Sequence, residues 1–148
     1  MINNLITQAN NPRQIKYIVV HCTATPQTTT VNSILDYWKR EKGWQYPGYH
    51  YLVKPDGQII PLLSETVTSN GVKGFNYCSV HISYIGGINA KDEAVDNRTP
   101  HQKNALRVAL KILKSKYPSA IIQGHRDFPD VKKACPAFNA KSEYADIK

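Results

Sequence analysis

The fold of this 148-residue chain is most readily inferred from the segment Lys16-Tyr-Ile-Val-Val-His-Cys22. It is short, largely apolar and rich in β-branched residues, which predicts a strand buried on both faces of a sheet. Side chains alternate along a strand, so His21 and Cys22 are expected on opposite faces. If His21 faces a functional site, Cys22 therefore packs in the core.

Two stretches downstream have the pattern of amphipathic helices. The first has apolar residues at helical spacing and ends near Gly43: Val31, Ile34, Leu35 and Trp38. The second begins at Thr99, where Pro100 and Gln102 complete a helix-start signal, and Pro118 closes it. A last short helix is expected near Ser142.

Further strands alternate with these helices. Residues 49–53 and 58–62 flank Lys54-Pro-Asp-Gly57, a turn sequence that predicts a β-hairpin. Residues 80–88, interrupted by two glycines, and residues 120–123 predict two more strands. The alternation indicates an α/β fold with a single central mixed β-sheet flanked by helices.

The composition is that of an ordinary globular protein with a basic balance. Lys and Arg number 19 against 11 Asp and Glu, a net charge of +8, and 41% of residues are hydrophobic. This charge suits an anionic partner, such as nucleic acid or a cell-wall polymer, or simply a basic surface. Three cysteines form a poor disulfide framework.

No apolar run is long enough to span a membrane, and the N-terminus lacks the pattern of a secretory signal. We therefore expect a protein that either stays in the cytoplasm until it is released or is exported by a non-classical route. Residues 1–15 are expected to form an N-terminal arm, and residues 16–148 to form one domain.

Three side chains at or after strand ends have the chemistry of metal ligands. They are His21, His125 and Cys135. Sites in α/β proteins gather where strands end, and two imidazoles with one thiolate suit a zinc ion that keeps one position open. Spacing alone leaves alternatives: a surface histidine, a capping histidine and a buried cysteine. A metal-free thiol hydrolase using Cys135 and His125 is another, but Pro136 and the lack of a helix start argue against it.

Two further residues have suitable chemistry for hydrolysis. Tyr49 begins a hairpin strand, where its phenol could hydrogen-bond an attacking water or a tetrahedral intermediate. Lys133 lies two residues before Cys135 and could offer a cation to an oxyanion. Taken alone, the pattern favours an ordinary core aromatic for Tyr49, and Lys133 also fits a solvated lysine in a basic run beside Lys132.

Eight short segments occur in one order along residues 16–140. They are VVHCTAT (19–25), GW (43–44), GYHY (48–51), DG (56–57), IGGI (85–88), TPHQ (99–102), GHRD (124–127) and KACP (133–136). Together they resemble the type-2 N-acetylmuramoyl-L-alanine amidases, a family that includes phage lysozyme-like amidases and peptidoglycan recognition proteins.

The resemblance implies an amidase/peptidoglycan-recognition-like fold and a zinc hydrolase. Its substrate would be the amide between N-acetylmuramic acid and the L-alanine of the peptidoglycan stem peptide. The matching metal ligands are His21, His125 and Cys135, and the matching catalytic residues are Tyr49 and Lys133. One of these two would position or deprotonate the attacking water while the other stabilises the oxyanion; the sequence does not separate the roles.

The resemblance extends to the expected partner and groove. Trp44, Tyr46 and Asn76 are candidate substrate-binding residues. We expect a monomeric, bacteriolytic, endolysin-like protein that binds peptidoglycan, with no nucleic-acid partner and no membrane insertion. The sequence does not distinguish a role in phage lysis from wall recycling or interbacterial use. His81 departs from the family, since relatives often have a small residue there. The loop at residues 68–76 also lacks a histidine that phage relatives often carry.

One alternative function shares the same fold. Some members of this family bind peptidoglycan without cutting it, and they have typically lost the cysteine ligand. Because Cys135, Tyr49 and Lys133 are all present, the sequence favours an enzyme. The basic residues are scattered and form no recognition-helix pattern, so a nucleic-acid-binding protein ranks last.

Overall fold

A computed structural model describes residues 11–148 of the chain. Its strands are β1 (Tyr17–Cys22), β2 (Tyr51–Val53), β3 (Ile59–Pro61), β4 (Ser79–Tyr84) and β5 (Ile121–Gly124). Within the described residues they form one sheet in the order β3-β2-β4-β1-β5. β3 pairs antiparallel with β2, and the other pairings are parallel. The predicted α/β class with a central mixed sheet is confirmed.

The predicted helices are present. They are α1 (Val31–Asp36), which continues as a π-helical turn over Tyr37–Glu41, α2 (Pro100–Lys116) and α3 (Ala140–Glu143). Thr99 accepts a hydrogen bond from the Gln102 backbone and donates its own backbone N–H to the Gln102 side chain, each at 3.0 Å, so the predicted capping box is confirmed. Among residues 11–148, no helix is both long and apolar enough to cross a bilayer.

The two hairpin strands are shorter than predicted, with three residues each. Gly57, at φ +89°, completes the turn between them by donating its N–H to Lys54 O. β4 likewise ends at Tyr84, four residues before the predicted limit, because Gly86 and Gly87 adopt positive φ and break the extended backbone.

The two faces of β1 have different neighbours. Ile18, Val20 and Cys22 join the main core cluster, which α2 covers with apolar side chains: Leu106, Ala109, Leu110 and Leu113. Val19 points to the other face, where it packs against Phe128. His21 shares that second face, so the predicted placement of His21 and Cys22 on opposite faces is confirmed.

The chain before β1 contacts the domain. Asn11 and Arg13 donate to the backbone oxygen of Glu65, at 2.8 and 2.6 Å, and Ile15 is buried in the main core. The predicted N-terminal arm covers residues 1–15, of which residues 1–10 lie outside the described part of the chain. The boundary at residue 15 stays a prediction.

Candidate metal centre

Two neighbouring parallel strands bring the candidate ligands together. β1 ends just after His21, and β5, paired in parallel with β1, leads directly into His125. One ligand atom from each of His21, His125 and Cys135 lies within 4.8 Å of the other two. Carboxyl ends of parallel strands meet at one edge of a sheet, which explains why residues more than 100 positions apart converge here.

Local backbone hydrogen bonds position the two ligands that follow β5. The Gly124 N–H donates to the Asp127 carboxylate at 2.8 Å, which holds the tight turn that carries His125. The Arg126 N–H then donates to the Cys135 carbonyl at 2.9 Å. This second bond closes the intervening loop and places the Cys135 thiol beside the histidines.

His21 is the buried member of the group, with 1% of its surface exposed. Its Nδ1 lies 3.8 Å from Cys135 Sγ, and the Cys22 backbone N–H donates to that sulfur at 3.2 Å. Zn–S bonds are about 2.3 Å and Zn–N bonds about 2.0 Å, so two ligands of one zinc ion lie less than ~4.3 Å apart. The His21–Cys135 pair meets that limit.

The protonation states of the histidines suit metal binding. Burial, with a smaller contribution from neighbouring histidines, lowers the pKa of His21 well below its usual value. Burial and then Lys133 lower the pKa of His125 to about 4. Both rings are therefore neutral at pH 7, and neutral imidazole is the form that binds metal.

The cysteine is a different case. Its hydrogen bond with the Cys22 thiol, together with burial, raises the pKa of Cys135 well above that of a free thiol. A thiol in this environment needs a bound cation before the thiolate becomes its stable form. Two imidazoles and one thiol that loses its proton when a cation binds form a donor set that fits a zinc ion.

Tyr49 and Lys133 both lie close to this group. The Tyr49 ring is 4.8 Å from the His21 ring, and its hydroxyl donates to Cys22 O at 3.2 Å. Burial and the nearby thiols raise the pKa of Tyr49 well above its usual value, so the phenol is neutral. Lys133 is exposed, yet its charge lowers the pKa of both His21 and His125.

The three predicted groove residues have different surroundings. Trp44 stacks on Trp38 with ring centroids 6.4 Å apart, and Tyr46 is 44% exposed. The Asn76 side-chain oxygen accepts from the Val72 backbone at 2.7 Å and lies 3.0 Å from His81 Nε2. Their proposed contact with substrate stays a prediction.

Sequence reasoning assigned no role to His81, which is fully buried behind the group. Its Nδ1 is 2.8 Å from His21 Nε2. The sheet register explains the contact: His81 on β4 pairs with Val19 on β1, so it shares the face of His21. His21 and His81 occupy strand positions whose side chains point to the same face of the sheet. This relationship can be recognised only when the register between β1 and β4 is known.

Comparison with known families decides the relationship. Residues 11–138 match the sequence model of the N-acetylmuramoyl-L-alanine amidase family. The chain belongs to this family. The match contains all three candidate ligands, together with Tyr49 and Lys133.

Relatives of this amidase-family chain include phage endolysins. It is 36% identical to the endolysin of Klebsiella phage KP32 over 135 residues, which cover 90% of this chain and 88% of the relative. It is 35% identical to the endolysin of Escherichia phage T7 over 125 residues, covering 84% and 82%.

Solved structures agree with the fold of this amidase-family chain. The Ph2119 endolysin of a Thermus scotoductus bacteriophage superimposes with a TM-score of 0.77 at 28% identity, covering 97% of this chain and 93% of the other. The bumblebee peptidoglycan recognition protein PGRP-SA, at 19% identity, gives a TM-score of 0.74 over 95% and 89%. At that identity the second match shows the fold alone.

Proposed function

We propose that this protein is a zinc-dependent N-acetylmuramoyl-L-alanine amidase. It would hydrolyse the amide between the lactyl group of N-acetylmuramic acid and the L-alanine of the stem peptide. The observation that carries the proposal is the convergence of His21, His125 and Cys135 within 4.8 Å at one edge of the sheet. Membership of the amidase family and the endolysin relatives support the reaction class.

The three ligands would hold the ion and leave one position open for water or substrate. When bound, zinc supplies Lewis acidity to the scissile carbonyl and lowers the pKa of an attacking water toward ~7. Two neutral imidazoles and one thiolate leave a net charge of +1, which preserves that acidity.

Tyr49 and Lys133 would have separate catalytic roles beside the metal. The raised pKa of Tyr49 supports a role as a hydrogen-bond donor that orients the attacking water, because a neutral phenol is a poor base. Lys133 is a cation two residues before Cys135, so it is available to the oxyanion that develops on the carbonyl. Trp44, Tyr46 and Asn76 would contribute to the groove that holds the glycan and peptide.

The phage endolysin relatives support a biological role in cell lysis. We infer a monomeric, bacteriolytic endolysin, with residues 16–148 as the zinc amidase domain, that stays in the cytoplasm until release and then degrades the cell wall. A net charge of +8 would keep the enzyme near anionic wall polymers. Neither nucleic acid nor membrane insertion enters this function.

The decisive experiment incubates the purified protein with peptidoglycan, with and without a chelator, and measures zinc content in parallel. We expect new L-alanine amino termini, which disappear on chelation and return with added zinc. If the protein binds one zinc ion per chain but does not cleave peptidoglycan, it is a peptidoglycan-recognition module and not an enzyme. Absence of both zinc and cleavage would refute the metal centre.

A further inference from the structure

The two ring nitrogens of His21 have different neighbours. Nδ1 lies 3.8 Å from Cys135 Sγ, whereas Nε2 lies 2.8 Å from Nδ1 of His81. Both imidazoles are buried, at 1% and 0% exposure. A hydrogen bond between two neutral imidazoles needs one donor and one acceptor, so the tautomer of His81 decides that of His21.

Asn76 fixes the tautomer of His81. The Val72 backbone N–H points at the Asn76 side chain at 2.7 Å, and a backbone N–H can only donate. The atom it meets is therefore the amide oxygen, an acceptor. His81 Nε2 lies 3.0 Å from the same oxygen, so Nε2 carries the hydrogen and donates. A neutral ring then has its lone pair on Nδ1.

The tautomer of His81 in turn determines the tautomer of His21. Its Nε2 faces the lone pair of His81, so Nε2 carries the hydrogen and donates. Its Nδ1 then keeps the lone pair, and this is the nitrogen that lies near Cys135. Metal-binding histidines commonly donate their other ring N–H to a fixed acceptor, which sets both the tautomer and the ring orientation.

Several contacts hold the His81 ring, whose Nδ1 is the acceptor. The His81 backbone N–H donates to His50 Nδ1 at 3.0 Å, while His50 Nε2 lies 2.8 Å from Val67 O. The two rings stack with an interplanar angle of 4°. On another side the backbone of Gly71 approaches so closely that a Cβ there would collide with the His81 ring. His81 therefore presents its Nδ1 at a fixed place.

We propose that His81 is a positioning residue for the metal centre: backed by Asn76, it holds His21 in the tautomer whose Nδ1 binds zinc. The inference rests on the proposed zinc-dependent function. It also gives a role to a buried histidine that the sequence analysis left without one.

A matched pair of variants tests the proposal. The asparagine in His81→Asn retains an acceptor oxygen near the position of Nδ1. The leucine in His81→Leu has nearly the same shape as asparagine but no hydrogen-bond acceptor. We expect His81→Leu to raise the zinc dissociation constant ~10–100-fold, the usual cost of losing such a contact, and His81→Asn to stay near wild type. Competition with a metal-indicator dye measures the dissociation constants.

Thermal unfolding of the metal-free proteins provides the control for packing. Both variants leave a similar cavity, so they should lose similar stability. Equal loss of zinc affinity in the two variants, or none in either, would overturn the positioning role. Selective loss in His81→Leu supports it, because a merely structural histidine would not distinguish the pair.

A second measurement needs no variant. Long-range 1H–15N correlation spectra of the wild-type protein labelled at histidine report which nitrogen of His21 carries the hydrogen. We expect Nε2–H in the metal-free protein, and Nδ1–H would overturn the proposal. If the wild-type protein binds zinc but does not cleave peptidoglycan, only the proposed amidase function is refuted. If it binds no zinc, both the proposed function and the positioning role of His81 are refuted.

Discussion

The metal centre has two halves that are held in different ways. His21 belongs to the central strand β1 and is 1% exposed, so long-range packing and the sheet register position it. His125 and Cys135 belong to the chain after β5, are partly exposed, and are positioned by local bonds such as that from Arg126 N–H to Cys135 O. The strand half is therefore coupled to folding, whereas the loop half can change with little effect on stability.

The largest expected effect comes from the loop half. Cys135→Ala removes one of three ligands, so activity should fall to background and zinc should be lost, a greater effect than the ~10–100-fold cost of a supporting contact. The matched control is Cys78→Ala, which removes a buried thiol that donates to Phe75 O outside the group. Metal content and amidase assays on both variants check this. Zinc retained in Cys135→Ala would place the metal elsewhere.

Lys133 tests whether the loop half also supplies transition-state charge. Lys133→Ala should lower kcat by ~10²–10³, the usual cost of one oxyanion donor, with zinc content unchanged. Lys132→Ala removes the neighbouring exposed charge and should have little effect. A similar decrease in both variants, disappearing at high salt, would mean that the charges only attract the anionic wall.

Tyr49 contacts the strand half and should give a smaller effect. Tyr49→Phe removes the hydroxyl and retains the ring that packs on His21 and Trp38. We expect a ~10²-fold decrease in kcat with nearly unchanged stability. Tyr77→Phe, at a tyrosine that is 64% exposed, is the control. Wild-type kcat in Tyr49→Phe would leave water orientation to Lys133 alone.

The smallest effect on the centre should come from the opposite face of the sheet. Leu110 on α2 is fully buried against the main core. Leu110→Ala should lower the free energy of unfolding by ~2–5 kcal/mol, with zinc affinity and kcat of the folded protein preserved. Denaturant unfolding and metal titration at low temperature measure the two quantities. Loss of zinc affinity with a folded core would show that the two faces are coupled.

Much of the fold was predictable because its signals are local. The continuous apolar run of β1 and the Thr99–Gln102 capping box depend on neighbouring residues, and both are present. The lengths of the hairpin strands and the π-helical turn after α1 were not predictable. They depend on how the chain packs once the sheet has formed, as in the stacking of Trp38 and Trp44.

The residue order alone already defines the chemistry available to this protein: the apolar strand that carries His21, the ligand types and the ordered segments that resemble the amidases. Which histidines meet depends on the folded arrangement of the strands. His81 lies 60 residues from His21, and their 2.8 Å contact exists because β1 and β4 pair in parallel with one register. A register shift of one residue would turn His81 to the other face, and no local pattern encodes that choice.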